Sequence, residues 1–178
     1  MDKIEIHQKA FELFLDADTI AKRIRLLAIQ LNLDYESKIP VFVGVLNGSF
    51  LFLADLIKEI NIPCEIEFIK VSSYKGQEST GTLTQSFALP TNLKNRHVIL
   101  VEDIVDTGFT INNLVNKVKE YKPASLATCT LLFKPEALKE KIDPLTYIAF
   151  EIPPAFVVGY GLDFDGLGRN LKDIYRAV

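Results

Sequence analysis

The strongest constraint on this chain is a strand-to-helix junction: Val98-Ile99-Leu100-Val101-Glu102-Asp103-Ile104-Val105-Asp106-Thr107-Gly108-Phe109-Thr110. An unbroken apolar run ends in two adjacent carboxylates. Three residues later comes Asp106, and Thr107-Gly108-Phe109-Thr110 opens a helical pattern. A strand without polar alternation is buried on both faces, which means a parallel sheet covered by helices. The junction reads as strand, acidic pair, phosphate-sized loop and helix.

The rest of the chain repeats that alternation. Asp16 can cap a helix over Ala17–Asp34, because its carboxylate can accept free amides of the first turn. Ile20, Ile24, Leu27 and Leu31 then share one face. The patterns predict strands at Pro40–Leu46, 64–71, 98–101 and Ser125–Phe133, with short strands at 146–150 and 156–158. Helices are predicted at 49–60 and 111–121. This is an α/β chain with a sheet covered on both faces. In such sheets ligands sit beyond the carboxyl ends of the strands, where strand order reverses. The loops Asn47-Gly48-Ser49, 102–110 and Lys134-Pro135 all fall at those ends.

At 178 residues, the chain fits one domain that buries about 70% of its unfolded surface. A formal charge of −3 speaks against nucleic acid as the main partner. Cys64 and Cys129 lie far apart in apolar runs and read as buried free thiols in a reducing compartment. The charged start Met1-Asp2-Lys3-Ile4-Glu5 does not read as a secretory signal. The apolar runs are shorter than the ~20 residues of a membrane span. The expectation is a soluble cytoplasmic protein without membrane partners.

Two ionised carboxylates side by side repel, so Glu102 and Asp103 call for a cation or hydroxyl donors unless they are solvated loop acids. Vicinal sugar hydroxyls can donate to both, and a divalent metal could bridge sugar and diphosphate. Asp106 to Thr110 adds the amides of a helix N-terminus and two hydroxyls, an anion seat. Gly108 lets the backbone approach closely. A cap by Asp106 or Thr107 explains one of these residues but not the run. The polar, Gly-punctuated segment 72–81 reads either as a lid or as an exposed hairpin.

The stretch Val101-Glu102-Asp103-Ile104-Val105-Asp106-Thr107-Gly108 closely resembles the ribose-phosphate signature of type I phosphoribosyltransferases, and more narrowly that of the hypoxanthine (hypoxanthine-guanine) phosphoribosyltransferases. Other segments agree in order: Leu46-Asn47-Gly48-Ser49-Phe50, Ser72-Ser73-Tyr74-Lys75-Gly76, Phe133-Lys134-Pro135, and Phe156-Val157-Val158-Gly159-Tyr160-Gly161-Leu162-Asp163-Phe164, followed by Arg169-Asn170-Leu171. The resemblance spans about residues 14–171. It implies the type I phosphoribosyltransferase fold over 1–178: a central, mostly parallel sheet flanked by helices, with a flexible lid loop. A small hood would come from the N-terminal segment and about 134–178.

The resemblance also implies an activity. The 5-phosphoribosyl group of 5-phosphoribosyl 1-diphosphate (PRPP) passes to N9 of hypoxanthine or guanine, with magnesium as cofactor. Glu102 and Asp103 would hold the ribose hydroxyls, and as anions they would favour an oxocarbenium-like transition state. Asp106, Thr107, Gly108, Phe109 and Thr110 would cradle the 5-phosphate. Asp106 would face purine N7 as general acid/base, its pKa raised by burial and by its acidic neighbours. Lys134 would contact the 6-oxo group and reject adenine. Phe156 would stack on the base, and Val157 would offer it backbone groups. Asp163 would be a magnesium ligand beside the purine, with Glu102 and Asp103 as further metal ligands. Leu46, Asn47, Gly48 and Arg169 would bind diphosphate, and in the family the peptide here joining Leu46 and Asn47 can be cis. Ser73 and Tyr74 would ride on the lid. The family generally forms homodimers or homotetramers.

Two positions depart from the family pattern. Phe109 stands where relatives often carry a basic or polar residue, leaving phosphate affinity to amides, Thr107 and Thr110. Gly168 precedes Arg169 where an aromatic residue is common. Two further readings stand beside the leading one. One is an enzyme favouring xanthine and guanine. The other is a regulatory protein that senses PRPP and binds nucleic acid, which intact Asp106, Lys134 and lid disfavour.

Overall fold

The computed structural model describes residues 3–70 and 92–178. The apolar runs form a five-stranded, all-parallel sheet. In spatial order its strands are β4 (Glu65–Lys70), β3 (Pro40–Leu46), β5 (His97–Val105), β6 (Ser125–Phe133) and β7 (Tyr147–Glu151). Their side chains alternate between two apolar layers, which is why the sequence shows continuous apolar runs. Phe42, Ile99, Val101, Ala127 and Cys129 face α1 (Ala17–Asp34) and α2 (Phe50–Lys58). Val41, Val43, Val45, Val98 and Leu100 face α3 (Phe109–Glu120) through Ile111, Leu114, Val115 and Val118.

The capping expectation for α1 holds. The Thr19 amide donates to Asp16 Oδ1 at 2.8 Å, and Ile20, Ile24, Leu27 and Leu31 are buried. The other two helices start differently from the periodicity. α2 begins one residue later than predicted, because the Ser49 hydroxyl turns back to donate to Val45 O at 2.7 Å. α3 begins two residues earlier, at Phe109, because Gly108 adopts φ 87° and turns the chain directly into the helix.

β5 corrects the opening reading. It runs to Val105, so Glu102 and Asp103 are strand residues rather than loop acids, and both are buried. The backbone ladder to β6 continues past the apolar run that ends at Val101, with Glu102 opposite Thr130 and Val105 opposite Phe133. Hydropathy marks where side chains turn polar, but the ladder depends only on backbone groups. Of the two thiols, Cys129 is buried as expected, whereas Cys64 is only half-buried.

A second, antiparallel sheet packs at the carboxyl end of the site. Its order is β1 (Lys3–Ile6), β2 (Lys9–Leu15), β9 (Ile174–Ala177), β8 (Val157–Val158). Phe11, Val158 and Tyr175 form its own small core. β1 and β2 join through His7 and Gln8, both with positive φ (48° and 61°), the backbone of a tight hairpin. The strands of this sheet fall within the segments from which the hood was expected, the N-terminal segment and about 134–178, with β8 and β9 supplying the C-terminal share. The intervening β7 pairs with β6 and belongs to the parallel sheet. Gly168 has φ 97°, and a Cβ there would lie 2.6 Å from Val158 Cγ2. A side chain at this position would therefore meet Val158, and its backbone suits glycine. No described helix is long and apolar enough to cross a membrane.

Candidate active site

The helix after β3 leads to β4 on one side of the sheet, and the helix after β5 leads to β6 on the other. Strand order thus reverses between β3 and β5, which opens a crevice at their carboxyl ends. Leu46-Asn47-Gly48 leaves β3 on one lip, and Glu102 to Thr110 leaves β5 on the other. The Leu46-Asn47 peptide is cis. A Cβ on Gly48 would lie 1.6 Å from Asp103 Oδ2, so the two lips meet at a contact only glycine permits.

One cavity, of about 260 Å³, is lined by the chain from Glu102 to Ile111. At its far end α3 begins without a side-chain cap. Asp106 therefore does not cap the helix, and the first-turn amides beyond Phe109 are left for an anion. Phe109 is 43% exposed on the rim of this cavity, and Thr107 Oγ1 accepts from its amide at 3.5 Å.

The acidic pair sits at the cavity floor. Asp103 Oδ1 accepts from the Ile104 amide at 2.9 Å, while Glu102 Oε2 is buried without a hydrogen-bond donor. Burial, reinforced by the Asp103 charge, holds the Glu102 carboxyl well above the usual carboxylate range. Burial also raises Asp103, opposed by hydrogen bonds from Glu102 and the Ile104 amide and by the charge of Arg169. An orphaned, desolvated carboxylate oxygen is an acceptor waiting for a donor or a cation.

A second cavity, of about 270 Å³, shares Asp103, Ile104 and Asp106 with the first. Its remaining wall is Lys134, Phe156, Val157, Leu162 and Asp163. Lys134 is buried, and its Nζ lies 2.7 Å from Asp106 Oδ2. Asp163 is held from both sides: Oδ1 lies 2.6 Å from an Arg169 guanidinium nitrogen, and Oδ2 accepts from the Gly166 amide at 2.8 Å. Arg169 also donates to Gly161 O at 2.7 Å, so part of its fork is committed within the protein.

The structure thus gathers Glu102, Asp103, Asp106, Thr107, Gly108, Phe109 and Thr110 in one cavity, and Lys134, Phe156, Val157 and Asp163 in the adjoining one. The lid residues Ser73 and Tyr74 lie outside the described residues. Four wall residues escaped the sequence reading, Ile104, Val105, Ile111 and Leu162. Each is an apolar residue next in the chain to a predicted site residue, and that adjacency was the available signal.

A phosphoribosyl transferase domain family matches residues 12–165. A hypoxanthine-guanine-xanthine phosphoribosyltransferase of Tritrichomonas foetus is 46% identical over 157 residues, covering 88% of this chain and 86% of that protein. A hypoxanthine phosphoribosyltransferase of Haemophilus influenzae is 39% identical over 171 residues, covering 94% and 95%. A crystal structure of a Bacillus anthracis hypoxanthine-guanine phosphoribosyltransferase superposes with a TM-score of 0.86 at 38% identity, over 94% of this chain and 98% of that one. With the paired cavities at the sheet's reversal point, these matches show that the chain belongs to the phosphoribosyltransferase family, among its hypoxanthine-guanine members.

Proposed function

We propose that this chain transfers the 5-phosphoribosyl group of PRPP to N9 of a 6-oxopurine, hypoxanthine and guanine, releasing IMP or GMP and diphosphate in purine salvage. The observation that carries this reading is the wall shared by the two cavities. Asp103, Ile104 and Asp106 stand between an anion seat with buried acids and a pocket holding a lysine and an exposed aromatic ring.

The ribose hydroxyls donate to Glu102 and Asp103, which satisfies the orphaned Glu102 oxygen. The 5-phosphate takes the first-turn amides of α3, with Thr107 and Thr110 at hand. The C1′–oxygen bond to diphosphate breaks, and the diphosphate leaves with the electron pair. Positive charge then grows on the ribose above two carboxylates, whose ionised forms stabilise it. The N9 lone pair closes on C1′, and Asp106 takes the proton from the purine. In a 6-oxopurine protonated at N7, N7–H is a donor and O6, beside it, an acceptor. The Asp106–Lys134 pair presents the complementary acceptor and donor side by side. Adenine offers an amino group where Lys134 needs an acceptor, and leaves a buried ammonium unpaired.

Magnesium would draw on Glu102, Asp103 and Asp163, hard carboxylate donors of which Glu102 carries an unpartnered oxygen. Among the described residues no three acidic, His or Cys side chains gather closely enough to hold the ion by themselves, so substrate oxygens would complete its shell. Bound there, the ion would offset the charge of the diphosphate. For Asp163 to serve, it must give up its Arg169 contact, which frees that guanidinium for diphosphate oxygens. Leu46, Asn47 and Gly48 would hold the same group, and Ser73 and Tyr74 would cover it. Assembly as a homodimer or homotetramer and a cytoplasmic location complete the reading.

The deciding experiment is a steady-state assay with PRPP and magnesium against hypoxanthine, guanine, xanthine and adenine. Nucleotide is expected from hypoxanthine and guanine and none from adenine. No product with any base would sink the proposal.

A further inference from the structure

Three phenylalanine rings of the antiparallel layer gather beside the second cavity. Phe156 stands 5.4 Å from Phe164 at an interplanar angle of 78°, and 6.1 Å from Phe11. Phe11 is buried, whereas Phe156 is 44% exposed and forms part of the cavity wall. Into this cluster β2 sends one cation. Lys9 Nζ lies 4.7 Å from the centroid of Phe156, 5.6 Å from that of Phe164 and 6.0 Å from that of Phe11.

An ammonium within about 6 Å of an aromatic face is attracted by the ring quadrupole. Of the three rings, Lys9 approaches most closely the one that faces the ligand cavity. Lys9 itself is not part of that cavity's wall. The backbone of Phe156 is also fixed, since its carbonyl accepts from the Ala177 amide at 2.9 Å. What remains free is the ring, whose terminal torsion is intrinsically soft. A half-exposed ring keeps one orientation only if its neighbours impose it. Phe164 bounds one edge, itself braced by the hairpin-tip His7 at 5.5 Å, and Lys9 bounds the ring from the β2 side.

We propose that Lys9 is a positioning residue for base recognition. Its ammonium pins the Phe156 ring in the orientation that stacks on the purine, so the N-terminal hairpin completes the base site. This inference rests on the reading of Phe156 as the stacking ring for a 6-oxopurine.

The test compares Lys9→Met, which keeps an unbranched stem but loses the charge, with Lys9→Arg, which keeps a cation. Lys9→Met is expected to raise KM for hypoxanthine about threefold to tenfold, with KM for PRPP and the thermal midpoint held at wild-type values. Lys9→Arg is expected to stay within about twofold of wild type. In a Phe156→Leu background, Lys9→Met should change the base KM by less than about twofold, since the partner ring is gone. An unchanged hypoxanthine KM in Lys9→Met overturns the proposal. So does a parallel rise for both substrates, which marks a scaffold role. So does a lower base KM, which places the ammonium on the stacking face itself. A wild-type protein that converts no 6-oxopurine brings down the reading of the site. An active wild type with an indifferent Lys9→Met brings down the Lys9 assignment alone.

Discussion

Lys134 Nζ and Asp106 Oδ2 stand 2.7 Å apart, the lysine buried and the aspartate side chain 47% exposed. The pairing follows from strand register. Val105 lies opposite Phe133 at the ends of β5 and β6, and the next residue of each strand supplies one partner. The Lys134 amide also donates to Val105 O at 2.9 Å, which extends the ladder one step into the site. An acid and a cation are thus presented together at the boundary between the two cavities.

Replacing Asp106 with Asn keeps an acceptor for Lys134 and removes the carboxylate proposed to take the proton from the base. Turnover should fall by about 10²- to 10⁴-fold, the usual range for a positioned general acid/base, with PRPP affinity within a few fold. Single-turnover rates and PRPP titration separate the two effects. A variant as fast as wild type would end the acid/base assignment.

Lys134→Ala should lower kcat/KM for hypoxanthine at least tenfold, with a smaller change for PRPP, and narrow the discrimination against adenine. The stability cost should be about 1 kcal/mol rather than the 3–5 kcal/mol of a fully buried pair, because water solvates the half-exposed Asp106 left behind. Base competition assays and denaturant unfolding check both parts. Equal losses for both substrates would point to a folding defect instead.

Gly48→Ala places a methyl where Asp103 Oδ2 now lies, at 1.6 Å from the new carbon. On the proposed reading, neither lip of the crevice can yield without moving a residue assigned to the sugar or the diphosphate. KM for PRPP should rise about tenfold or more, while the apolar layers, which do not include Gly48, keep the thermal midpoint close to wild type. PRPP binding by calorimetry reads the first, and a melting curve reads the second.

Glu102 makes stability depend on pH with a definite sign. Its folded-state pKa lies well above the ordinary 4.5, through burial and then the neighbouring Asp103 charge. Between those two values the folded state binds more protons than the unfolded state, so stability falls as pH rises. The contribution is fully present below about 4.5 and is lost as pH climbs through the raised value. The ligand-free protein should therefore melt lower as pH increases across that window, and Glu102→Gln should flatten the trend. A pH-independent difference between the two proteins would contradict this.

The central layer was legible because its signals are local. Asp16 caps α1, Pro40–Leu46 and Ser125–Phe133 match β3 and β6 as predicted, and the apolar stripes reappear in the two cores. The outer hood strands were not legible. β1 is short, both strands carry charges (Lys3, Glu5, Lys9 and Glu12), and they lie at or near a sheet edge where apolar alternation is weak. The pairing of β2 with β9 links residues more than 150 positions apart, as the contact of Arg176 with Glu12 illustrates. No window of sequence contains that information.

What the sequence determined alone is the chemistry on offer: a parallel α/β sheet, an acidic pair before a helix N-terminus, and a lysine at the next strand's end. Backbone periodicity and side-chain type suffice for these. Tertiary structure decided which groups meet. The ladder carried Glu102 and Asp103 inside the strand, where burial raises their pKa values. Register joined Asp106 to Lys134, steric contact set Gly48 against Asp103, and the second sheet placed Lys9 against the Phe156 ring. Each of these depends on distance and desolvation between remote segments, quantities that come into being only when the chain is folded.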